Sequence, residues 1–164
     1  MGHLRRAGRG HLADGRLVTW SVAEGSRGRR WRWTVSDDTS LEHAGLIELG
    51  HGRSFVRLEL ETAAAMLTLH PTDDGTGAHG NVVRAVRVDP IAVPWRAGDG
   101  VHIVRDPFAT ALLGGDREAL VVEADLTIRM AGGRTVPRGP APRLQVDERG
   151  VPALIDPSEW PLEV

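Results

Sequence analysis

Residues 17–35, LVTWSVAEGSRGRRWRWTV, carry the alternation that decides the fold. Apolar residues recur at every second position in two runs, residues 17–22 and 30–35, which is the period of a β-strand with one buried face. The glycine-bearing segment between the runs predicts a hairpin. The inward-facing set in the simplest register is Val18, Trp20, Val22, Trp31, Trp33 and Val35. Arg30 and Arg32 then take the opposite face.

The same two-residue period predicts further strands along the chain. Residues 53–61 predict a strand with Val56, Leu58 and Leu60 facing inward. Residues 120–130 predict a long antiparallel strand with one solvated face. The other strand candidates are residues 42–49, 64–70, 81–88, 101–104, and a closing hairpin of residues 143–146 and 151–155. Short strands separated by turn signals are typical of an all-β meander, so we predict an antiparallel sheet forming a barrel or a strongly curved half-barrel.

One segment, residues 107–113, predicts a short helix. Asp106 supplies an acidic N-cap, Pro107 occupies the first helical position, and glycines follow the end of the segment. The Gly/Pro-rich stretch 132–142 cannot run through a central strand. We therefore predict a surface loop there.

The composition limits both the domain organisation and the chemistry. The chain has 164 residues and contains no Cys, Tyr or Lys, which excludes thiol nucleophiles, Schiff-base lysines and P-loop chemistry. Its length predicts one domain over residues 1–164, with residues 1–15 as a flexible basic segment. The basic start is not followed by the apolar run of a signal peptide, and no segment is apolar enough for a membrane span. We expect a cytoplasmic protein, and the Arg/Ala/Gly/Val-rich usage indicates a bacterial source.

Positive charge is concentrated near the start of the chain, although the formal net charge is −2. Residues 1–35 hold eight arginines against Asp14 and Glu24. Residues 27–33, RGRRWRW, combine guanidinium groups that suit phosphate or carboxylate with aromatic faces that suit stacking. Because alternation separates the arginines from the tryptophans, we do not expect a nucleic-acid partner. An Arg-rich front edge that docks a protein partner is one hypothesis for function.

The densest polar segment, residues 69–81, gives a second hypothesis, an enzyme. It contains His70, His79, Asp73 and Asp74, residue types that bind zinc or perform acid–base chemistry. Their spacing matches no closed metal motif, so we predict no metal and no cofactor, and a hairpin loop is the simpler interpretation. If the two histidines flank the base of that hairpin, they lie opposite one another. No serine lies in G-x-S-x-G, so we assign no catalytic residue.

Two segments resemble a known family. Asp106-Pro107-Phe108 in mid-chain, and LQVDERGVPAL at residues 144–154 before Trp160, resemble uncharacterised bacterial all-β domains described as glycolipid-binding. That family is similar in fold to the lipoprotein carriers of the bacterial envelope. The resemblance implies a curled sheet that holds an acyl-like ligand, and it carries over no catalytic residue.

The leading hypothesis is non-catalytic binding of a small apolar or amphipathic ligand. Aromatic side chains are typical walls of an apolar pocket, and a charged group at its mouth would hold a polar head. The expected ligand-binding residues are Trp20, Trp31, Trp33, Phe55, His70, His79, Arg84 and Trp95. An open sheet edge would favour a homodimer.

Overall fold

The computed structural model of the protein describes residues 4–12, 14–51, 54–96, 98–113, 119–131, 144–146 and 152–155. The strands are β1 (Leu4–His11), β2 (Leu17–Gly25), β3 (Gly28–Ser36), β4 (Leu41–Leu49), β5 (Phe55–Thr62), β6 (Met66–Pro71), β7 (Ala78–Arg84), β8 (Arg87–Val93), β9 (Gly100–Ile103), β10 (Ala119–Val122), β11 (Ile128–Ala131), β12 (Leu144–Val146) and β13 (Pro152–Ile155). The helix is α1 (Pro107–Leu113). The prediction of an all-β protein with one short helix at these residues is confirmed.

The first eight strands form one antiparallel sheet in chain order, β1 to β8. This confirms the predicted meander. In the described part of the chain no pairing joins β1 to β8, so the sheet keeps two edges and is not a closed barrel. The predicted closing hairpin is present as β12 paired with β13.

A second, three-stranded sheet departs from the purely antiparallel expectation. Strand β10 pairs with β9 in parallel and with β11 antiparallel. Parallel neighbours require a crossover connection, and the segment that contains α1 provides it between β9 and β10. The short helix therefore has a topological role that the alternation pattern did not reveal.

The hairpin of β2 and β3 has the predicted register. Trp20 pairs with Trp33 and Val22 with Trp31 across a two-residue turn. The side chains predicted to face inward on these strands are buried. The core of the protein therefore starts from this hairpin.

The inner face of the large sheet packs against α1 and the small sheet. Phe108 of α1 contacts the rings of Trp31 and Trp33, with centroid distances of 5.9 Å and 6.2 Å. The ring of Trp33 lies over Gly45 so closely that a Cβ there would be 2.2 Å from it. The space under the large indole is therefore available only because the next strand carries a glycine.

Two predicted strands are interrupted by turns. Residues 120–130 are not one strand, because the amide of Glu123 donates to the carbonyl of Thr127 at 2.9 Å and the chain reverses. Leu126, in that turn, has a φ of 65°. Residues 81–88 likewise span the turn between β7 and β8, where Ala85 has a φ of 48°. Both expectations of a continuous strand are wrong.

The pairing of β4 with β5 corrects a third expectation. Glu48 pairs with Arg57 and Leu49 with Phe55, which leaves Val56 as the extra residue of a β-bulge. Val56 is 42% exposed, although the alternation placed it in the core. Phe55 packs against the core instead.

Two further expectations concern residues 1–15 and residues 132–142. Within residues 1–15, expected to be flexible, the structure places β1, paired with β2 from Leu4–Glu24 to His11–Leu17. The predicted loop at residues 132–142 lies outside the described residues. No described helix has the length and apolar character needed to cross a membrane.

Candidate functional site

The outer face of the large sheet carries a hollow walled by arginines, which we call the arginine hollow. Its volume is about 440 Å³. It is lined by Arg5, Ala7, Ser21, Val22, Ala23, Arg30 and Arg32. Arg5 pairs with Ala23, which pairs in turn with Arg30 on the next strand, and Ser21 lies between Ala7 and Arg32 in the same way. Long guanidinium side chains therefore surround a floor of small side chains.

The charge of this hollow is only partly compensated. Arg30 forms an ion pair with Glu48 on β4 at 2.6 Å. Arg5 and Arg32 are exposed and form no hydrogen bond or ion pair with any described residue. The outward positions of β1, β2 and β3 contain Arg9 in addition and no acidic residue. An anion placed between Arg5 and Arg32 would thus meet two available planar donors.

A second depression, which we call the central groove, continues from the arginine hollow. It has a volume of about 450 Å³. Its lining residues are Thr19, Trp20, Ser21, Arg32, Trp33, Thr34, Ala44, Gly45, Leu46, Glu59, Glu61 and Met66. The two depressions share Ser21 and Arg32, so they form one continuous surface across β1 to β6.

The central groove changes in character along its length. The hydroxyls of Thr19 and Thr34 share a hydrogen bond of 2.5 Å, which leaves little unsatisfied polarity on that part of the surface. Ala44 and Leu46 on β4 add apolar surface. The acidic side chain of Glu59 lies beyond them and is bound by Arg57. The site is therefore positive at one end, apolar in the middle and acidic at the other end.

The tryptophans expected to line a pocket lie in the core. Trp20 and Trp31 contact each other with ring centroids 5.8 Å apart, and Trp31 is only 1% exposed. Trp20 and Trp33 border the central groove, but both indole rings are buried. On the interior side, Phe108 packs against the rings of Trp31 and Trp33.

The remaining expected ligand-binding residues lie at three other places. Phe55 and Trp95 form an edge-to-face pair with centroids 5.4 Å apart. Arg84 binds Asp89 at 3.3 Å and the carbonyl of Asp125 at 3.0 Å. His70 and His79 oppose one another across β6 and β7, as the hairpin interpretation predicted. The structure thus does not bring the eight residues into one site.

A buried polar cluster that the sequence pattern did not reveal lies at the start of α1. Asp106 is 1% exposed. Its Oδ2 accepts hydrogen bonds from Trp33 Nε1 at 2.7 Å and His43 Nε2 at 2.6 Å, and its Oδ1 accepts the amide of Ala109 at 2.9 Å. His43 hydrogen-bonds no hydroxyl nucleophile among the described residues. The cluster therefore fastens α1 to β3 and β4.

A second polar network, centred on Arg16, binds the residue before Asp106. The Arg16 guanidinium binds Asp14 at 2.8 Å and Glu42 at 2.7 Å, and it donates to the carbonyl of Arg105 at 2.5 Å. Burial alone would lower the pKa of Arg16, but its bonds to Glu42 and Asp14 outweigh burial and raise it. Burial also acts to raise the pKa of Asp14, and the hydrogen bonds from Arg16 lower it overall. Residues 105 and 106 are therefore held by two independent polar networks.

The position of His43 offered a signal for this cluster. It lies at an inward position of β4, in line with Gly45 and Ile47. A histidine on an apolar face requires a buried partner, and the sequence pattern indicates only an N-cap role for Asp106. Alternation along β4 indicates that His43 faces the core, but no local pattern identifies its partner, Asp106, 63 residues away.

Comparison with known proteins gives no assignment. No protein-family model, no curated protein and no solved structure matches the chain.

Proposed function

We propose that the protein is a non-catalytic binding protein for a small amphipathic ligand that carries an anionic group. The anionic group lies in the arginine hollow and the apolar part extends along the central groove. The observation that carries the proposal is the pair of uncompensated guanidinium groups, Arg5 and Arg32, above a floor of small side chains.

Guanidinium chemistry sets the class of the head group. A planar guanidinium binds phosphate, sulfate or carboxylate through two parallel hydrogen bonds, each charge-assisted. A hydrogen bond to a charged group contributes about 1.5–3 kcal/mol. The hollow is open to solvent, so salt screens the attraction. Binding should weaken as ionic strength rises.

The central groove sets the orientation of the ligand. Ala44, Leu46 and Met66 offer apolar surface next to the shared residue Arg32. Burial of apolar surface contributes about 25 cal/mol per Å². Glu59 and Glu61 repel an anionic head at the far end of the groove. The head therefore lies towards β1 and the tail towards β6.

The proposal keeps the ligand class expected from the sequence and moves its site to the outer face. It agrees with the glycolipid-binding resemblance only in ligand chemistry. A half-barrel curvature, a bacterial source and a cytoplasmic location stay predictions. So does a homodimer formed through an open sheet edge.

The test is titration of the whole protein with octyl phosphate, monitored by calorimetry and by amide NMR shifts. Arg32→Gln should weaken binding at least about tenfold, because a loss of 1.4 kcal/mol is a factor of ten. The control is Arg87→Gln, which removes an exposed arginine on β8 far along the sheet from the hollow. Equal binding by these two variants would refute the proposed site.

Two further measurements separate the head from the tail. Octan-1-ol should bind much more weakly than octyl phosphate, since it lacks the anionic group. Leu46→Asn should weaken the binding of octyl phosphate but leave the binding of inorganic phosphate unchanged. If Leu46→Asn has no effect while Arg32→Gln abolishes binding, the Arg-rich face serves an acidic partner and the amphipathic ligand is wrong.

A further inference from the structure

Two histidines face each other on the outer face of the large sheet. They lie on β6 and β7, whereas the arginine hollow lies on β1 to β3 of the same face. His70 on β6 and His79 on β7 are direct partners in the antiparallel register. Their ring centroids are 6.0 Å apart and their planes are inclined by 33°. His70 is half-buried and His79 is exposed. The pair is thus positioned by the sheet and accessible from solvent.

We propose that His70 and His79 form a binding site for a divalent transition-metal ion of the zinc class. A metal–nitrogen bond of about 2.1 Å places the ion about 3.2 Å from the centre of an imidazole ring, so two rings can share an ion only when their centres are within about 6.4 Å. The observed 6.0 Å lies inside that limit. A small rotation of the exposed His79 ring reaches the spacing of about 5.2 Å that a tetrahedral angle requires.

The ring nitrogens of both residues are available for a ligand. Neither His70 nor His79 forms a hydrogen bond or ion pair with a described residue. By contrast, Nε2 of His43 is bound to Asp106 in the core. Imidazole nitrogen is a preferred ligand of Zn²⁺, Cu²⁺ and Ni²⁺ and a poor one for Mg²⁺ or Ca²⁺. The chemistry of the pair therefore selects a transition metal.

The hairpin holds the two histidines in place. Six consecutive register pairs join β6 to β7, from Met66–Val83 to Pro71–Ala78. Beyond them, the amide of Thr72 donates to the carbonyl of Gly77 at 2.8 Å and closes the turn. A rigid frame reduces the ordering cost of bringing two ligands to one ion.

The surroundings of the two histidines determine which ligands would fill the other coordination positions of the ion. No group of three or more His, Cys, Asp or Glu residues suited to a metal occurs in the described part of the chain. Two protein ligands leave positions for water or for an exchangeable ligand, as in an open metal site. Arg57 lies on the adjacent strand β5, one position beyond the Leu58–Leu69 pair, and its charge is offset by its bond to Glu59.

The test uses zinc chloride as the probe, added to the whole protein in calorimetry and in NMR of the imidazole ring protons. We expect one ion per chain and shifted ring signals of both histidines. Loss of a group that only orients a metal ligand costs about 10–100-fold in metal affinity, so loss of a ligand itself in His70→Ala or His79→Ala should weaken zinc binding at least about tenfold. His51→Ala, at an exposed and separate position, is the matched control.

The outcomes are distinct from those for the amphipathic ligand. Zinc affinity unchanged in either single variant would overturn the proposal, as would equal binding of magnesium and zinc. Circular dichroism checks that the variants fold, and substitutions on the exposed hairpin face remove no core side chain. Octyl phosphate binding should be the same in all three histidine variants.

Discussion

The two faces of the large sheet use neighbouring residues for different purposes. On β3, Trp33 is buried, donates a hydrogen bond to Asp106 and packs on Phe108. Arg32, the residue before it, is exposed and has no described partner. Because side chains alternate along a strand, one segment can stabilise the core and present a binding group at the same time.

The two faces also differ in how the charged groups named here are paired. On the inner face, Asp106 is buried with three hydrogen-bond donors directed at it. On the outer face, Arg5 and Arg32 border two connected depressions without a partner. An unsatisfied charge exposed to water costs little, whereas an unsatisfied buried group is expensive. Substitutions on the two faces should therefore separate stability from binding.

The largest effect on the free energy of unfolding is expected for Asp106→Ala. The substitution leaves three donors without their acceptor and removes the N-cap of α1. Removing one partner of a buried polar interaction lowers the free energy of unfolding by about 3–5 kcal/mol. Urea unfolding followed by circular dichroism measures the loss, and Asp38→Ala at an exposed turn is the control. A loss below about 1 kcal/mol would show that the cluster does not hold α1 to the sheet.

A smaller effect is expected where a glycine accommodates a tryptophan ring. In Gly45→Ala the new Cβ would lie 2.2 Å from the Trp33 ring, and in Gly8→Ala it would lie 2.7 Å from Trp20. Overpacking costs about 1–3 kcal/mol. Gly45 is on the central strand β4, which is paired on both sides, whereas Gly8 is on the edge strand β1. Gly45→Ala should thus lie near the upper end of that range and Gly8→Ala near the lower end.

Thermal unfolding of the two glycine variants measures this difference, with tryptophan fluorescence as a check on ring packing. Equal destabilisation would mean that β1 is held as firmly as β4. An effect near zero for Gly45→Ala would mean that Trp33 can change rotamer without loss of its bond to Asp106.

The sequence predicted those parts of the fold in which local signals agree. Alternation and a glycine-bearing turn correctly predicted a hairpin in which Trp20 and Trp33 face the same core. The N-cap, proline and apolar residues correctly predicted α1. It failed at two turns, because Leu126 and Ala85 adopt positive φ values without being glycine or asparagine. Such positions carry no compositional signal of a turn.

The candidate site depends on information that a strand pattern does not contain. The sequence placed Arg32 opposite the tryptophans, which its exposure confirms. The hollow itself arises from the register of three strands, which aligns Arg5 with Arg30 across Ala23 and Ala7 with Arg32 across Ser21. The Asp106–His43 contact spans 63 residues and likewise follows from topology. Periodicity assigns a residue to a face, but pairing decides its neighbours.

The smallest effect concerns a polar network that lies on neither packed face. In the β6–β7 turn, the Thr72 hydroxyl and the Thr76 amide donate to Asp74 and lower the pKa of its carboxyl from 3.8 to about 2. A lowered folded-state pKa stabilises the turn fully above about pH 4, and that contribution is lost as the pH falls through about 2. Carboxyl-carbon NMR should give a midpoint near 2, and Thr72→Val should raise it towards 3.8. A wild-type midpoint near 3.8 would mean that the turn is not held by this carboxylate.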